Sequence, residues 1–332
     1  MIVADMQSRP RPVRRLSRAS SRRARTHLGI VALGDLAVDI VAATKEPLAH
    51  ASDAAGAIVF RQGGSAANTA RWIARLGGEA AFVGAVGRDE WGRRLGASLA
   101  EAGVRVHLVR RAGRTARIVA LVEPGGERTF ITDRGAADQL TPEDLRAAWF
   151  AGAAGLHLPA YSLLNEPLGA AARRAAELAR AAGATVSVDL ASRRPLLSHG
   201  RRTAWERIAA LAPDLLFANA GEAAALAGAR GEHHLLDLAP VVVVKEGPGG
   251  CRLIVRGPRP GGEPVRLAVA TTHIAAADTT GAGDAFDAGF LLAWLGAPAE
   301  TRHDIAVLRW AALAGHRAAA RLLTGPRRER LG

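Results

Sequence analysis

From residue 28 onward, short runs of aliphatic and β-branched residues alternate with longer stretches in which alanine and leucine recur at helical spacing. Residues 28–34 (LGIVALG), 80–85, 154–158, 184–189, 214–218 and 241–245 read as strands, and 65–77, 90–102, 141–149, 165–182, 201–211 and 219–228 as the helices between them. That alternation predicts an α/β protein whose central, mainly parallel sheet carries helices on both faces. Two stretches interrupt the rhythm. Residues 36–62 and 104–132 read as strands without an intervening helix, the second with a hairpin around Pro124-Gly125-Gly126. Together they predict a small antiparallel sheet over one edge of the large one. Such a sheet could be a lid that shuts water out of a cleft, an edge extension, or the contact of a homodimer; these roles can coexist.

The chain has 332 residues, 49% of them hydrophobic and 23% charged, which suits one large globular domain with a smaller attachment. No apolar run approaches the roughly 20 residues of a membrane span, so no membrane partner is expected. The formal charge of +13 is unevenly placed: residues 1–27 hold eight arginines against the single acid Asp5, so +7 sits in this tail and +6 is spread over the remaining 305 residues. Nucleic acid is therefore not an expected partner unless the tail binds it. The tail lacks the apolar core of a secretory signal and reads as a disordered extension, a transit peptide or an electrostatic arm. A second short tail is expected at 326–332. Lysine occurs only at Lys45 and Lys245, beside 42 arginines, a skew that reflects genome composition more than phosphate binding. The single cysteine, Cys251, excludes an internal disulfide and reads as a small buried thiol, with the cytoplasm as the expected compartment. His157, His316 and the pair His233-His234 lack partners at metal-ligand spacing and read as ordinary core or surface residues.

Chemistry concentrates in AADTTGAGDAFDAGF, residues 276–290, which reads as a strand end, a glycine turn and a helix start. Gly281 and Gly283 permit close backbone approach, and the run from Ala285 to Leu295 is helical in pattern, stopped by Gly296 and Pro298. The free amides of the first turn and the helix dipole favour an anion. Asp284 then admits two readings. It can cap its own helix, or it can act as a general base on a hydroxyl that attacks a phosphoryl group held by those amides. Neither GxxxxGK[ST] nor GxGxxG is present to decide the matter.

DTTGAGDAFDAGF closely resembles the second signature of the PfkB (ribokinase-like) family of carbohydrate kinases, and RQGGSAANTARWIARLGGEAAFVGAVGRDEWGRRL, residues 61–95, resembles the first. GDLAVD at 34–39, NAGE at 219–222 and VVVVKEGPGG at 241–250 fall in the family's order, so the resemblance covers residues 28–325. It implies a ribokinase-like α/β fold with a small β-sheet lid, and ATP-dependent phosphorylation of a hydroxymethyl group on a sugar or sugar-like substrate. By the same resemblance Asp284 is the general base, with the amides of Gly281, Ala282, Gly283 and Asp284 as the anion hole. Asp39 would hold sugar hydroxyls, Asp35 would belong to the same loop, Gly63 and Gly64 would let the backbone approach the acceptor, and Asn68 would bond a further hydroxyl. Asn219 and Glu222 would organise magnesium and the phosphates through water, although their spacing also fits an ordinary helix cap. Gly247 and Gly250 would lie in the nucleotide loop, with Lys245 before it meeting phosphate or simply solvated. The backbone carbonyls of Asp278 and Thr280 occupy positions that hold a monovalent cation in many relatives, so ATP, Mg2+ and K+ are the expected cofactors. His316 falls where relatives approach the adenine.

The acceptor is left open by departures from ribokinase proper. Ala37, Ser65, Pro159 and Ala137 stand where more polar or charged residues are usual, so ribose is one candidate beside fructose, 2-keto-3-deoxygluconate and nucleosides. Low aromatic content, with one tyrosine, disfavours a stacking nucleoside pocket. A catalytically silent sugar- or nucleotide-binding relative is the alternative of a different class, and the intact GAGD, NAGE and GDLAVD argue against it.

Overall fold

The computed structural model describes residues 29–48, 50–124, 128–257, 262–276, 278–326 and 331. The readings of the tail 1–27, of the hairpin tip at Gly125 and Gly126, and of most of 326–332 lie outside these residues. Thirteen strands are described: β1 (Gly29–Leu33), β2 (Ala37–Thr44), β3 (Gly56–Gly63), β4 (Glu79–Gly87), β5 (Val104–Arg111), β6 (Ala116–Val122), β7 (Arg128–Asp133), β8 (Ala153–Pro159), β9 (Thr185–Asp189), β10 (Leu215–Asn219), β11 (Val241–Lys245), β12 (Cys251–Val255) and β13 (Val265–Val269). The helices are α1 (Ser65–Arg75), α2 (Glu90–Glu101), α3 (Leu168–Ala181), α4 (Arg193–Leu196), α5 (Arg201–Ala209), α6 (Ala220–Ala227), α7 (Ala282–Leu295) and α8 (Ile305–Thr324).

Nine strands form one sheet in the order β13-β12-β11-β10-β9-β8-β1-β4-β5. From β11 through to β5 all neighbours are parallel, and β12 and β13 close one edge as antiparallel strands. Burial on both faces explains why these strands are apolar throughout rather than alternating. Ile30 and Ala32 of β1 pack on one side with α1, α2, α7 and α8, while Val31 and Leu33 pack on the other with α3, α5 and α6. Val241 and Val243 against Val242 and Val244 repeat the pattern in β11.

The second sheet has four strands in the order β3-β2-β6-β7, with a parallel β2–β6 pair between antiparallel β2–β3 and β6–β7. It is the separate small sheet foreseen from the two interruptions, but mixed rather than antiparallel, since β2 and β6 run the same way, and a further correction concerns its membership. Residues 104–111 do not join it; β5 pairs in parallel with β4 at the edge of the large sheet. The twelve-residue α2 supplies the crossover that a parallel pair needs, and Val106 and Leu108 then pack into the core on the α2 side. Another correction concerns 141–149, expected as a helix. Thr141 and Asp144 cap each other around Pro142, and the stretch breaks into two 3-10 turns, Pro142–Asp144 and Ala147–Trp149.

Candidate active site

In an open parallel sheet the strand ends point their carboxyl termini at one crevice, and here the polar residues collect there. Asp35 follows β1, and Asp189, Asn219 and Lys245 are the last residues of β9, β10 and β11. The turn before α7 lies over this edge. Gly281 caps α7 at φ 79°, a left-handed conformation that suits glycine, and no side chain caps the helix. Asp284 is the third helical residue and bonds outward to α1: its carboxylate accepts from Ser65 Oγ at 2.7 Å and from Asn68 Nδ2 at 3.0 Å. The capping reading of Asp284 therefore fails on geometry. Burial pushes its carboxyl up to about 6, against the pull of the Ser65 and Asn68 hydrogen bonds.

Asp39 comes from the lid. It sits on β2 opposite Arg61 of β3, and burial, then the neighbouring Asp35 charge, pushes its carboxyl up to about 7 against the Arg71 guanidinium. Its Oδ1 is buried with no hydrogen-bond partner. Gly63 is glycine because that carboxylate needs the room: a Cβ there would lie 2.0 Å from Asp39 Oδ1. Gly64, at φ 97°, similarly abuts the Asp35 carbonyl, and a Cβ would come within 2.3 Å of it. Asp35 is buried, its Oδ1 accepting a long bond from the Ala66 amide at 3.4 Å. Asn68 turns its amide nitrogen to Asp284 and accepts from Arg71 Nη1 at 2.8 Å through Oδ1. A crevice is lined by Asp39, Arg61, Gln62, Asn68, Trp72, Thr280, Gly281 and Leu322.

On the other side of the α7 turn lies a cleft of about 180 Å³ lined by Lys245, Gly247, Pro248, Gly250, Thr271, Thr272, Ile274, Thr279, Ala282, Gly283, Phe286, His316 and residues of α8. Gly247 and Gly250 are both left-handed, at φ 56° and 97°. His316 packs edge-on against Phe286, with Nε2 3.2 Å from the Val269 carbonyl. Asn219 and Glu222 form a reciprocal cap at the start of α6: the Glu222 carboxylate accepts from the Asn219 amide at 2.8 Å and from its Nδ2 at 2.6 Å, while Asn219 Oδ1 accepts from the Glu222 amide at 2.9 Å. Burial and then the Asp189 charge push Glu222 up to about 7. Lys245 is not solvated. Its Nζ donates to Asp189 Oδ2 at 3.0 Å and to both oxygens of Asp287 at 3.0 and 3.1 Å.

The structure thus brings together the residues expected from GDLAVD, the first signature and GAGD around one helical turn. Asp278 is engaged through its side chain: Oδ2 pairs with Arg61 and Oδ1 accepts from the Thr280 amide at 3.0 Å. Sequence reasoning missed Ser65, noted only as a departure, along with Arg61, Asp189, Asp287 and Arg134. The last of these lies over Tyr161 with Nη1 3.9 Å from Asp35. Asp287 had a legible signal, a second acid one turn beyond Asp284 in an otherwise apolar helix. Ala37 and Ala137, two of the departures, pack together with Ala116 in one buried cluster where β2 and β6 begin. Cys251 is buried, and burial pushes its thiol up to about 12. Among the described residues no helix is long and apolar enough to cross a membrane.

Residues 28–322 match the family model of pfkB family carbohydrate kinases. A fructokinase of Klebsiella pneumoniae is 35% identical over 273 residues, covering 78% of this chain and 82% of that protein. An ATP-dependent ribose-1-phosphate kinase of Halopiger xanaduensis is 36% identical over 236 residues, covering 70% and 73%. Among solved structures, a fructokinase from Xylella fastidiosa with bound ATP superposes with a TM-score of 0.74 at 27% identity, covering 88% of this chain and 92% of that one.

Proposed function

The chain belongs to the pfkB family of carbohydrate kinases and phosphorylates a sugar at the expense of ATP; from that premise we propose that the transfer takes place across the first turn of α7. The observation that carries this reading is the position of that turn between two cavities. Thr280 and Gly281 face the Asp39 crevice, while Thr279, Ala282 and Gly283 face the Lys245 cleft. The acceptor sugar takes the first and ATP the second. Asp284, held by Ser65 and Asn68, takes the proton of a hydroxymethyl group, and the amides of residues 281–284 receive the charge on the moving phosphoryl group. A carboxylate is a weak base toward an alcohol, so most of the acceleration comes from positioning and electrostatics.

The acceptor side is built of carboxylates. The charges of Asp35 and Asp284 both disfavour a charged Asp39, and the orphaned Asp39 Oδ1 suits a hydroxyl donor, which favours a neutral polyol end of the substrate. Magnesium is read as arriving with the nucleotide: among the described residues no three His, Cys, Asp or Glu side chains are arranged to hold an ion. Glu222, buried and carrying oxygen donors beside the cleft, would meet it through water, and the ion would neutralise phosphate charge. The Asp278 and Thr280 carbonyls are the proposed monovalent-cation ligands, which assays in potassium against sodium test. The lid presents Ile58, Phe130 and Ile131 to solvent, where a second copy of the chain would pack.

The test is an ADP-release screen over ketohexoses, pentoses, keto-deoxy acids and nucleosides with the full chain and Asp284→Ala. Turnover of at least one sugar, lost by roughly 10³-fold or more in the variant, is expected. Near-normal turnover by Asp284→Ala would refute the assignment.

A further inference from the structure

Lys245 Nζ is held from three directions. Asp189 at the end of β9 and Asp287 in the second turn of α7 accept from it, and the Phe217 ring lies 5.6 Å beneath. Asp287 is fully buried and Asp189 is 4% exposed. The ammonium is also close to the backbone of the proposed anion hole: a Cβ built on Gly283 would lie 3.3 Å from Nζ. Burial disfavours the charged form of Lys245, yet the two aspartates more than offset it and hold the ammonium charged. Two carboxylates around one ammonium leave a net negative charge in a largely buried site, which one further proton removes. Burial raises Asp287 well above the usual carboxylate range, while Lys245 works against burial to hold Asp189 below it, so of the two Asp287 takes up a proton more readily.

Buried ion pairs contribute little net stability compared with apolar residues of the same volume, so fold stability is a weak account of such a cluster. We propose that Asp189 and Asp287 are positioning residues that clamp the Lys245 ammonium against the underside of the Gly283 turn, backing the phosphoryl-receiving amides with a fixed cation. This rests on phosphoryl transfer at the α7 turn. A preset charge needs no reorganisation when the phosphoryl group moves, so it acts on the transition state more than on bound ground states.

The test compares Lys245→Met/Asp189→Asn, which leaves no unpaired charge, with Asp287→Asn and Asp287→Leu in the full chain, using the best sugar from the screen. The double variant is expected to melt cooperatively and bind ADP within severalfold of the parent, with kcat lower by about 10²-fold. An asparagine at 287 can still accept from Lys245 and donate to Asp189, so Asp287→Asn should keep kcat within about fivefold while Asp287→Leu falls with the double variant. A folded double variant with parental kcat, or equal losses in Asp287→Asn and Asp287→Leu, overturns the clamp. Full turnover by Asp284→Ala would instead overturn the underlying site, so the two failures are distinguishable.

Discussion

Asp284 shows how much a single side chain's neighbours decide. Placed at the third position of a helix, it could have turned back to the amides; Ser65 and Asn68 pull it toward α1 instead. Both donors favour its charged form, opposing the burial that raises it to about 6. A base works only when unprotonated, so kcat/KM should fall as pH drops through the region of 6. Removing a donor raises the carboxyl further. Ser65→Ala and Asn68→Ala are therefore each expected to move the acid limb to higher pH, by up to roughly one unit, since a hydrogen bond to a charged group contributes on the order of 1.5 kcal/mol. Initial rates from pH 5 to 8 check this. A limb that stays in place in both variants would show that Asp284 is not the titrating base.

At the scale of elements, the lid reaches the site through close backbone approaches rather than bulk. β2 and β3 meet at Gly63, where the Asp39 carboxylate occupies the space a side chain would need. Gly63→Ala should push Asp39 out of place, raising KM for the sugar about tenfold or more while ADP binding stays near the parent value. Calorimetry with ADP and sugar-dependent kinetics separate the two effects. The parallel strands β1, β4, β8, β9, β10 and β11 were legible because burial on both faces makes them continuously apolar. The destination of β5 was not, since an edge strand such as VRVHLVRR reads alike in either sheet and only the α2 crossover decides. β12 and β13 were passed over because antiparallel edge strands lack a helix between them to mark their ends. Residues 141–149 failed as a helix because a proline and a reciprocal Thr141–Asp144 cap favour isolated turns. In the site, Asp284, Asp39 and Asn68 were legible through motif resemblance, whereas Ser65, Arg61 and Asp189 acquire partners 217 or 219 residues away, or 56 in the case of Asp189, which spacing cannot show.

For the molecule as a whole, a site built from clustered carboxylates sets a cost against the fold. Asp39 rises from an ordinary 3.8 to about 7, so between those values the folded chain keeps a proton that the unfolded chain has lost. Stability contributed through this group is therefore present at low pH and declines as pH rises toward 7. His157, lowered by burial to about 4, acts in the opposite direction below pH 6.5, which makes the total curve a poor readout. The difference between the parent and Asp39→Asn removes the common groups. The margin by which the variant out-melts the parent should be several degrees wider near pH 8 than near pH 5, where about a third of the effect has developed, a shift of three units being on the order of a few kcal/mol. Bound sugar should narrow that gap at pH 8, because its hydroxyls supply the donors that Asp39 Oδ1 lacks in the empty crevice. Melting scans at the two pH values, with and without the sugar identified by the screen, decide it. A gap that is flat with pH would mean Asp39 is ionised at no unusual cost, and a gap that sugar leaves unchanged would take Asp39 out of the acceptor site.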